Sequence, residues 1–381
     1  MIPLRNFRRF AAKTVKQPYY AFQVGKKRML AYFSYQFGRG RSAFPEAVTL
    51  FLTHRCNLRC KMCGQWGEGG VTKKQSGREE LSVDDLTKII DDLASFRPNI
   101  TLFGGEPLLN PACVQIIRRI KEKGMHALMI TNGSMLVDVA DEIVSGGLDE
   151  LNVSLDGDSA RHDEIRGMTG VFDKIMGGIK GIQRAKTARS AKRPLINLQC
   201  TINRHNYLYL EELLTVAKEA GADSLTFHNL IFLTKEALCK QREFDDLLNC
   251  RSSDWEGFIF EPEIDVEVLY EKMKKIQSGR YDFSVDFFPN FSYPTLKEYY
   301  QNPSYSPAEY GARCFSPWMT AYIFPDGEVR PCLNFDYSYG NVNQNKFSQL
   351  WNDEAAIKFR RLVKKNGIFP VCVRCTELYR Y

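Results

Sequence analysis

Six short apolar runs of period-two character, at residues 47–53, 99–103, 126–131, 149–155, 195–202 and 223–228, alternate along the chain with segments of helical period. That alternation admits few folds, because parallel strands need a crossover between them and a helix is the usual crossover. The helical segments fall at roughly 111–123, 137–146, 159–187 and 206–220, and at "LSVDDLTKIIDDLASF" (81–96). In that last stretch Ser82 is placed to cap, Asp84 and Asp85 occupy the first turn, and Leu86, Ile89, Ile90 and Leu93 share one face. Six βα units are two short of a closed eightfold barrel. The expectation is therefore an α/β fold, an open partial (βα)6 barrel with its site at the C-terminal ends of the strands.

Four segments are expected: a basic, aromatic-rich leader (1–45), the barrel core (46–234), a connector (235–313) and a small C-terminal domain (314–381). The connector loses the alternation and contains the Pro- and Tyr-rich "PNFSYPTLKEYYQNPSYSPAEYG". In the C-terminal segment, "PDG" between the apolar runs "MTAYIF" and "EVRPCLN" predicts a hairpin. With 44% hydrophobic residues in 381, the chain can bury a full-sized core. No stretch approaches the ~18 uninterrupted apolar residues of a membrane span, and the N-terminus lacks an export pattern, so the expected location is the cytoplasm.

The net charge of +7 is local. Residues 1–45 hold ten Lys or Arg and no Asp or Glu, leaving 42 basic against 45 acidic residues in the rest. Arg5, Arg8, Arg9, Lys13 and Lys16 fall on one helical face, with Leu4, Phe7, Phe10, Ala11 and Val15 on another, and Pro18 is expected to stop the pattern. A second segment, "GKKRMLAYFSYQFGRGR" (25–41), repeats the interleaving of basic and aromatic residues. Two readings stand for this leader: peripheral attachment to an anionic membrane surface on the inner face of the membrane, or a helix packed on the barrel bottom with its charges in solvent. Nucleic acid is not an expected partner, because the excess charge is confined to the leader.

The eleven cysteines are unevenly placed, and an odd count argues against a fully paired disulfide framework. Cys113, Cys200, Cys239 and Cys250 stand alone and read as small buried hydrophobes. Cys56, Cys60 and Cys63 follow the first strand at the spacing C-x3-C-x2-C, and Cys314, Cys332, Cys372 and Cys375 form a second set. Four thiolates saturate a zinc ion or a cubane iron–sulfur cluster, whereas three on a cluster leave one iron open to another ligand. A zinc site completed by His54 or a distant residue is the other reading of the triplet.

The triplet, "LFGGEPLL" (102–109), "TNG" (131–133) and "VSLDG" (153–157), each at a strand end and in this order, resemble the radical S-adenosylmethionine enzymes. The resemblance covers about residues 47–230. It implies a 4Fe–4S cluster on Cys56, Cys60 and Cys63, with S-adenosylmethionine chelating the open iron through its amine and carboxylate. One electron from the cluster then cleaves the cofactor to a 5'-deoxyadenosyl radical that abstracts hydrogen from substrate. Gly104, Gly105 and Glu106 are implied at the methionine amine, with Pro107 fixing the turn. Ser154, with Asn132 or Thr131, is implied at the carboxylate or ribose. Met62 stands near the adenine, where the family usually has an aromatic residue. "HDEIRG" (162–167) is similar to the segment of the subgroup with C-terminal auxiliary clusters, and His162 reads as a capping or packing residue.

The second cysteine set resembles the Twitch domain, the shortened form of SPASM, and implies one auxiliary 4Fe–4S cluster, with structural zinc as the other reading of four thiolates. Implied partners are S-adenosylmethionine and a one-electron donor such as flavodoxin or ferredoxin. The expected activity is that of a radical oxidoreductase giving an oxidised or cross-linked product of a small molecule, glycan or lipid precursor. A peptide or protein substrate is the alternative within the family, and a zinc-bound scaffold for nucleic acid or a partner is the non-enzyme alternative.

Overall fold

Val48 and Leu50 alternate with Thr49 and Phe51, and the same two-residue period in the next five runs gives each strand one face for the helices and one for the barrel interior. The computed structural model describes residues 18–381 apart from 67–69, 71 and 73–79; the amphipathic pattern of residues 1–17 lies outside the described residues. Strands β1 (Ala47–Phe51), β2 (Asn99–Phe103), β3 (Ala127–Thr131), β4 (Glu150–Ser154), β5 (Leu195–Thr201) and β6 (Ser224–His228) form where the period-two runs predict them. They pair in parallel in that order.

The sheet continues at both edges. β7 (Ser284–Phe288) pairs in parallel with β6, and β8 (Thr320–Ile323) pairs in parallel with β1. β9 (Glu328–Arg330) turns back antiparallel on β8 around Gly327, whose φ of +87° a residue with a Cβ rarely adopts. β10 (Gly340–Asn341) completes a ten-stranded order β10-β9-β8-β1-β2-β3-β4-β5-β6-β7. The "PDG" hairpin is thus part of the barrel sheet.

Two expectations change. The stretch 159–187 is two helices, Ser159–Arg166 and Val171–Ala188, broken where Gly167 and Gly170 take φ of +71° and +77°. The segment 235–313 is regular over much of its length, with helices Lys235–Leu248, Val266–Ser278 and Tyr293–Gln301 besides β7. Pro18 opens a helix, α1 (Pro18–Phe37), where a proline in the first turn costs no hydrogen bond. α1 lays Val24, Ala31 and Tyr35 against the bottom of the barrel, with Tyr35 on Trp318 and Phe315 at 4.9 and 4.6 Å between ring centroids. The helix of residues Val83–Leu93 forms as its sequence predicts: Ser82 caps it by accepting from the Asp85 N–H, and Leu86, Ile89, Ile90 and Leu93 are buried. Of the lone cysteines, Cys113 and Cys200 are buried, Cys250 is half-buried and Cys239 is exposed.

Helix Val171–Ala188 packs closely on helix Leu136–Ser145, and a Cβ at Gly178 would collide with the Leu136 Cβ, while one at Gly177 would meet Val137 at an ordinary 3.6 Å. Gly178→Ala should therefore cost about 1–3 kcal/mol through overpacking, and Gly177→Ala should be neutral or stabilise by up to ~1 kcal/mol through helix propensity. Urea unfolding of the two variants separates these outcomes; equal effects would show that the helices do not meet at Gly178.

Candidate active site

The cysteine loop leaves the C-terminal end of β1 and is fastened on both sides. On one side the Gly105 N–H donates to the Thr53 carbonyl and the Glu106 N–H to the Arg55 carbonyl, each at 2.8 Å. A Cβ on Gly104 would stand 2.7 Å from the Thr53 oxygen, and one on Gly105 would collide with the Arg55 carbonyl. The two glycines thus admit the cysteine loop to the β2 loop. On the other side the Lys61 N–H donates to the Ile165 carbonyl (2.9 Å) and the Arg59 N–H to the Arg166 carbonyl (3.3 Å), while buried Leu58 anchors the loop from beneath.

Glu106 ties the loops to one another. Its carboxylate is fully buried and accepts from Thr131 Oγ1 (2.7 Å), the Asn132 N–H (2.7 Å) and the Leu108 N–H (3.1 Å). Pro107 occupies the first turn of the 3-10 segment Pro107–Leu109, which Glu106 caps. Asn132 in turn donates through Nδ2 to Asn57 Oδ1 (2.9 Å), and that nitrogen lies 3.9 Å from Cys56 Sγ. Three donors already engage Glu106, so its remaining capacity is the second lone pair of Oε2.

Two residues that sequence reasoning left without a role stand against the triplet. Arg166, the arginine of "HDEIRG", is almost fully buried, with Nη1 3.6 Å from Cys60 Sγ and Nη2 2.6 Å from the carboxylate of Asp156. Its Nε is buried without a hydrogen-bond partner among the described residues, leaving a donor to spare beside an anionic group. Asp156, from "VSLDG", is fully buried and also accepts from the Thr201 N–H at 2.9 Å. His162 is buried against Phe172 and accepts the Asp156 N–H through Nδ1; burial lowers its pKa to about 3, so it is a neutral packing residue, as its helix-start position suggests. The only sequence signal for Arg166 is its place before a helix-ending glycine.

The Cys60 charge opposes ionisation of both Cys56 and Cys63, and the Cys56 charge adds to the effect at Cys63. Burial pushes Cys56 up and, with the Cys60 charge, takes Cys63 to about 11. Such thiols need a cation to become thiolates, which is the chemistry of a metal-ligand set. Met62 is half-buried in the same loop, and Ser154 is half-buried at the end of β4.

The second set is coupled in the same way. Burial raises the pKa of all four thiols, to about 11 for Cys372 and about 12 for Cys375, and Cys332 feels the charges of Cys314, Cys372 and Cys375. The β8–β9 register sets Tyr322 opposite Arg330, so Cys332 returns to the level at which β8 starts, where Cys314 also lies just before the short helix Ser316–Met319. This centre therefore lies at the N-terminal ends of β1 and β8, and the triplet at the C-terminal end of β1.

Between them the barrel interior has two walls. Phe51, Phe103, Tyr322 and Phe324 form an aromatic side, with Phe51 stacked on Phe324 at 5.3 Å. β4, β5 and β6 face it with Asn152, Ser154, Asn197, Gln199, Thr226 and His228, joined by bonds such as Asn197 Nδ2 to Asn152 Oδ1 (3.0 Å) and His228 Nε2 to Gln199 Oε1 (2.5 Å). These polar residues recur at alternate positions of β4, β5 and β6, and sequence reasoning assigned only Ser154 among them a role.

Burial raises Glu106 from its ordinary 4.5 to about 7, against the lowering effect of its hydrogen bonds. Its contribution to stability is therefore complete below 4.5 and lost as pH rises through 7. Glu106→Gln, which cannot titrate and confronts the Asn132 N–H with an amide, should be destabilised at pH 5, and the gap to the parent should narrow by roughly 2 kcal/mol at pH 8. Urea unfolding of the reduced, metal-free protein at the two pH values measures this; a constant gap would mean that the carboxyl is ionised throughout.

Comparisons with known proteins agree with this geometry. The Radical SAM superfamily profile matches residues 50–192, and the SPASM profile, described as an iron-sulfur cluster-binding domain, matches 314–376. Fe-coproporphyrin III synthase of Methanosarcina barkeri is 26% identical over 349 residues, covering 86% of this chain and 79% of the relative. The tungsten-containing aldehyde ferredoxin oxidoreductase cofactor-modifying protein of Pyrococcus furiosus is 24% identical, covering 86% of each chain. Streptococcus suis SuiB superposes with a TM-score of 0.60 at 14% identity over 83% of this chain and 68% of SuiB, and shows a shared fold. By the two matched profiles and the ordered loops at the strand ends, the chain belongs to the radical SAM superfamily and carries a C-terminal SPASM iron–sulfur domain.

Proposed function

We propose that Cys56, Cys60 and Cys63 hold the 4Fe–4S cluster of this radical SAM enzyme, and that Cys314, Cys332, Cys372 and Cys375 hold one auxiliary 4Fe–4S cluster. A cluster on the triplet would supply one electron for reductive cleavage of S-adenosylmethionine, giving a 5'-deoxyadenosyl radical to remove hydrogen from substrate. The protein's part is to fix the cysteine loop and shape the cavity. Glu106, through Thr131 and Asn132, holds the β2 and β3 loops beside Cys56, and Arg166 offsets thiolate charge at Cys60. Gly104, Gly105, Ser154 and Met62 border the same strand ends and are assigned to S-adenosylmethionine. The auxiliary centre lies about one strand length, ~17 Å, from the triplet's end of the barrel. A cluster there would take one electron from the substrate radical, with flavodoxin or ferredoxin as the external donor to the triplet's cluster.

The substrate is a small molecule with an apolar face and a hydrogen-bonding face. The two-walled interior carries this reading: aromatic rings on one side cover a planar or apolar surface, while amides, hydroxyls and His228 opposite satisfy polar groups. It is supported by the relative named for a small molecule, Fe-coproporphyrin III synthase. The basic N-terminal segment is assigned to an anionic membrane surface.

Purified and reconstituted without oxygen, the protein should contain about eight irons. Cys60→Ala should abolish S-adenosylmethionine cleavage, and Cys239→Ala, at an exposed site, should not change it. If both variants behave alike, the ligand assignment is wrong. Replacing Cys372 and Cys375 together with Ala should halve the iron yet leave cleavage in the absence of substrate, while turnover fails. Full iron in that variant would remove the auxiliary cluster from this set. Turnover of a peptide and of no small molecule would move the substrate to the other class.

A further inference from the structure

α1 has two apolar faces, and the fold uses one. Val24, Ala31 and Tyr35 pack against the barrel bottom, where Lys27 Nζ donates to the Arg97 carbonyl (2.5 Å), Arg28 pairs with Glu46 (2.7 Å), and the Ala43 N–H donates to Ser34 Oγ (3.0 Å). On the opposite face Phe22, Met29, Phe33 and Phe37 are 70%, 54%, 52% and 78% exposed. At about 100° per residue these four lie within one arc of roughly 80°. Lys26 falls in the same arc and is exposed, and exposed Arg39 and Arg41 follow the end of the helix. A helix apolar all round is normally enclosed, so this outward face needs an occupant.

We propose that the outward face of α1 docks on an anionic lipid bilayer, with Phe22, Met29, Phe33 and Phe37 in the interface and Lys26, Arg39 and Arg41 at the headgroups. This deepens the membrane assignment above and rests on it. Charge selects the occupant: residues 1–45 carry ten basic and no acidic side chains, whereas the remainder is slightly acidic. A twofold dimer built on this face would bring two sets of Lys26, Arg39 and Arg41 into one interface, with no acidic residue from residues 1–45 to offset them. Place also fits. α1 touches the chain just before β1, β2 and β8, through Glu46, Arg97 and Trp318, whereas the cysteine loop leaves the far end of β1. A bilayer under α1 leaves the mouth of the site on the aqueous side.

The test is sedimentation of the cluster-loaded full chain with vesicles of phosphatidylcholine containing one quarter phosphatidylglycerol, and with pure phosphatidylcholine. Binding should be at least tenfold tighter to the anionic vesicles and should weaken as salt is raised. Phe22→Ser, Phe33→Ser and Phe37→Ser together should lower affinity at least tenfold, and Lys26→Gln, Arg39→Gln and Arg41→Gln should each cost roughly fivefold on anionic vesicles alone. Both sets should keep full iron content and S-adenosylmethionine cleavage. The proposal is overturned if the full chain does not bind anionic vesicles at low salt, or if the triple serine variant binds like the parent. It is equally overturned if light scattering shows a dimer that the triple variant dissolves. Absent cleavage by a protein that still binds vesicles would instead count against the functional assignment and leave the docking face standing.

Discussion

The site depends on one buried carboxylate. Glu106 lies at the junction of three loops that leave three adjacent parallel strands, and its oxygens accept from the backbone of its own turn and from both Thr131 and Asn132. Burying that group is costly unless donors meet it, and three do. Through Asn132 and Asn57 the same network reaches the cysteine loop, and through the backbone bonds at Gly105 and Glu106 it meets that loop again. The cysteine loop therefore does not choose its own path. It is moulded between the β2 loop and the end of helix Ser159–Arg166, so the thiols can be brought together before any metal contributes.

What is brought together is a set of groups that resist ionisation. Cys314 and Cys332 are pushed well up by burial and by the charges of Cys372 and Cys375, and Cys63 follows the same trend beside Cys60. On the proposed ligand assignment the free energy of putting thiolates into these positions comes from the metal, so metal binding and thiol deprotonation are coupled. Arg166 supplies part of the same compensation at the triplet, with Asp156 holding the guanidinium in place. The second set has an environment of another kind, in which Cys314 is fastened through its N–H to the Gly367 carbonyl.

The six barrel strands and the capped helix Val83–Leu93 were legible because their signals are local: two-residue alternation, a serine cap, and four apolar residues on one face. β7 was not, since Ser284–Phe288 is a short edge strand beside Pro289 and its pairing with β6 is fixed only by the sheet. The break near Gly167 escaped for a related reason. A glycine inside a helical pattern can be tolerated or can end the helix, and here close packing of Gly167 on Arg59 decides for the end. The cysteines and "LFGGEP" stood out in sequence, but the partner of Glu106 and the thiol beside Arg166 are tertiary facts. No spacing encodes that residues 106 and 131, or 166 and 60, meet. Gly104 and Gly105 show that a motif can carry a second reason its sequence does not show: beside the cofactor role implied by resemblance, they admit the protein's own backbone.

The two readings of the leader, a membrane surface or a packed helix, are not exclusive for α1. Its inner face is committed to the barrel through Tyr35, Trp318 and Phe315, and further held where Lys364 Nζ donates to the Gln36 carbonyl at 2.9 Å. Arg360, buried and stacked on Trp351 at 4.0 Å, donates to the carbonyls of Pro317 and Gly40 and joins the residues after α1 to the C-terminal helix Glu354–Asn366. A helix held so firmly can afford an outward face that contributes nothing to folding stability in water. Because α1 meets the starts of the strands and the cysteine loop meets their ends, changes in that outward face are separated from the chemistry by the length of the barrel. The apolar cost of exposing Phe22, Phe33 and Phe37 falls on solubility and association, not on the geometry around Glu106.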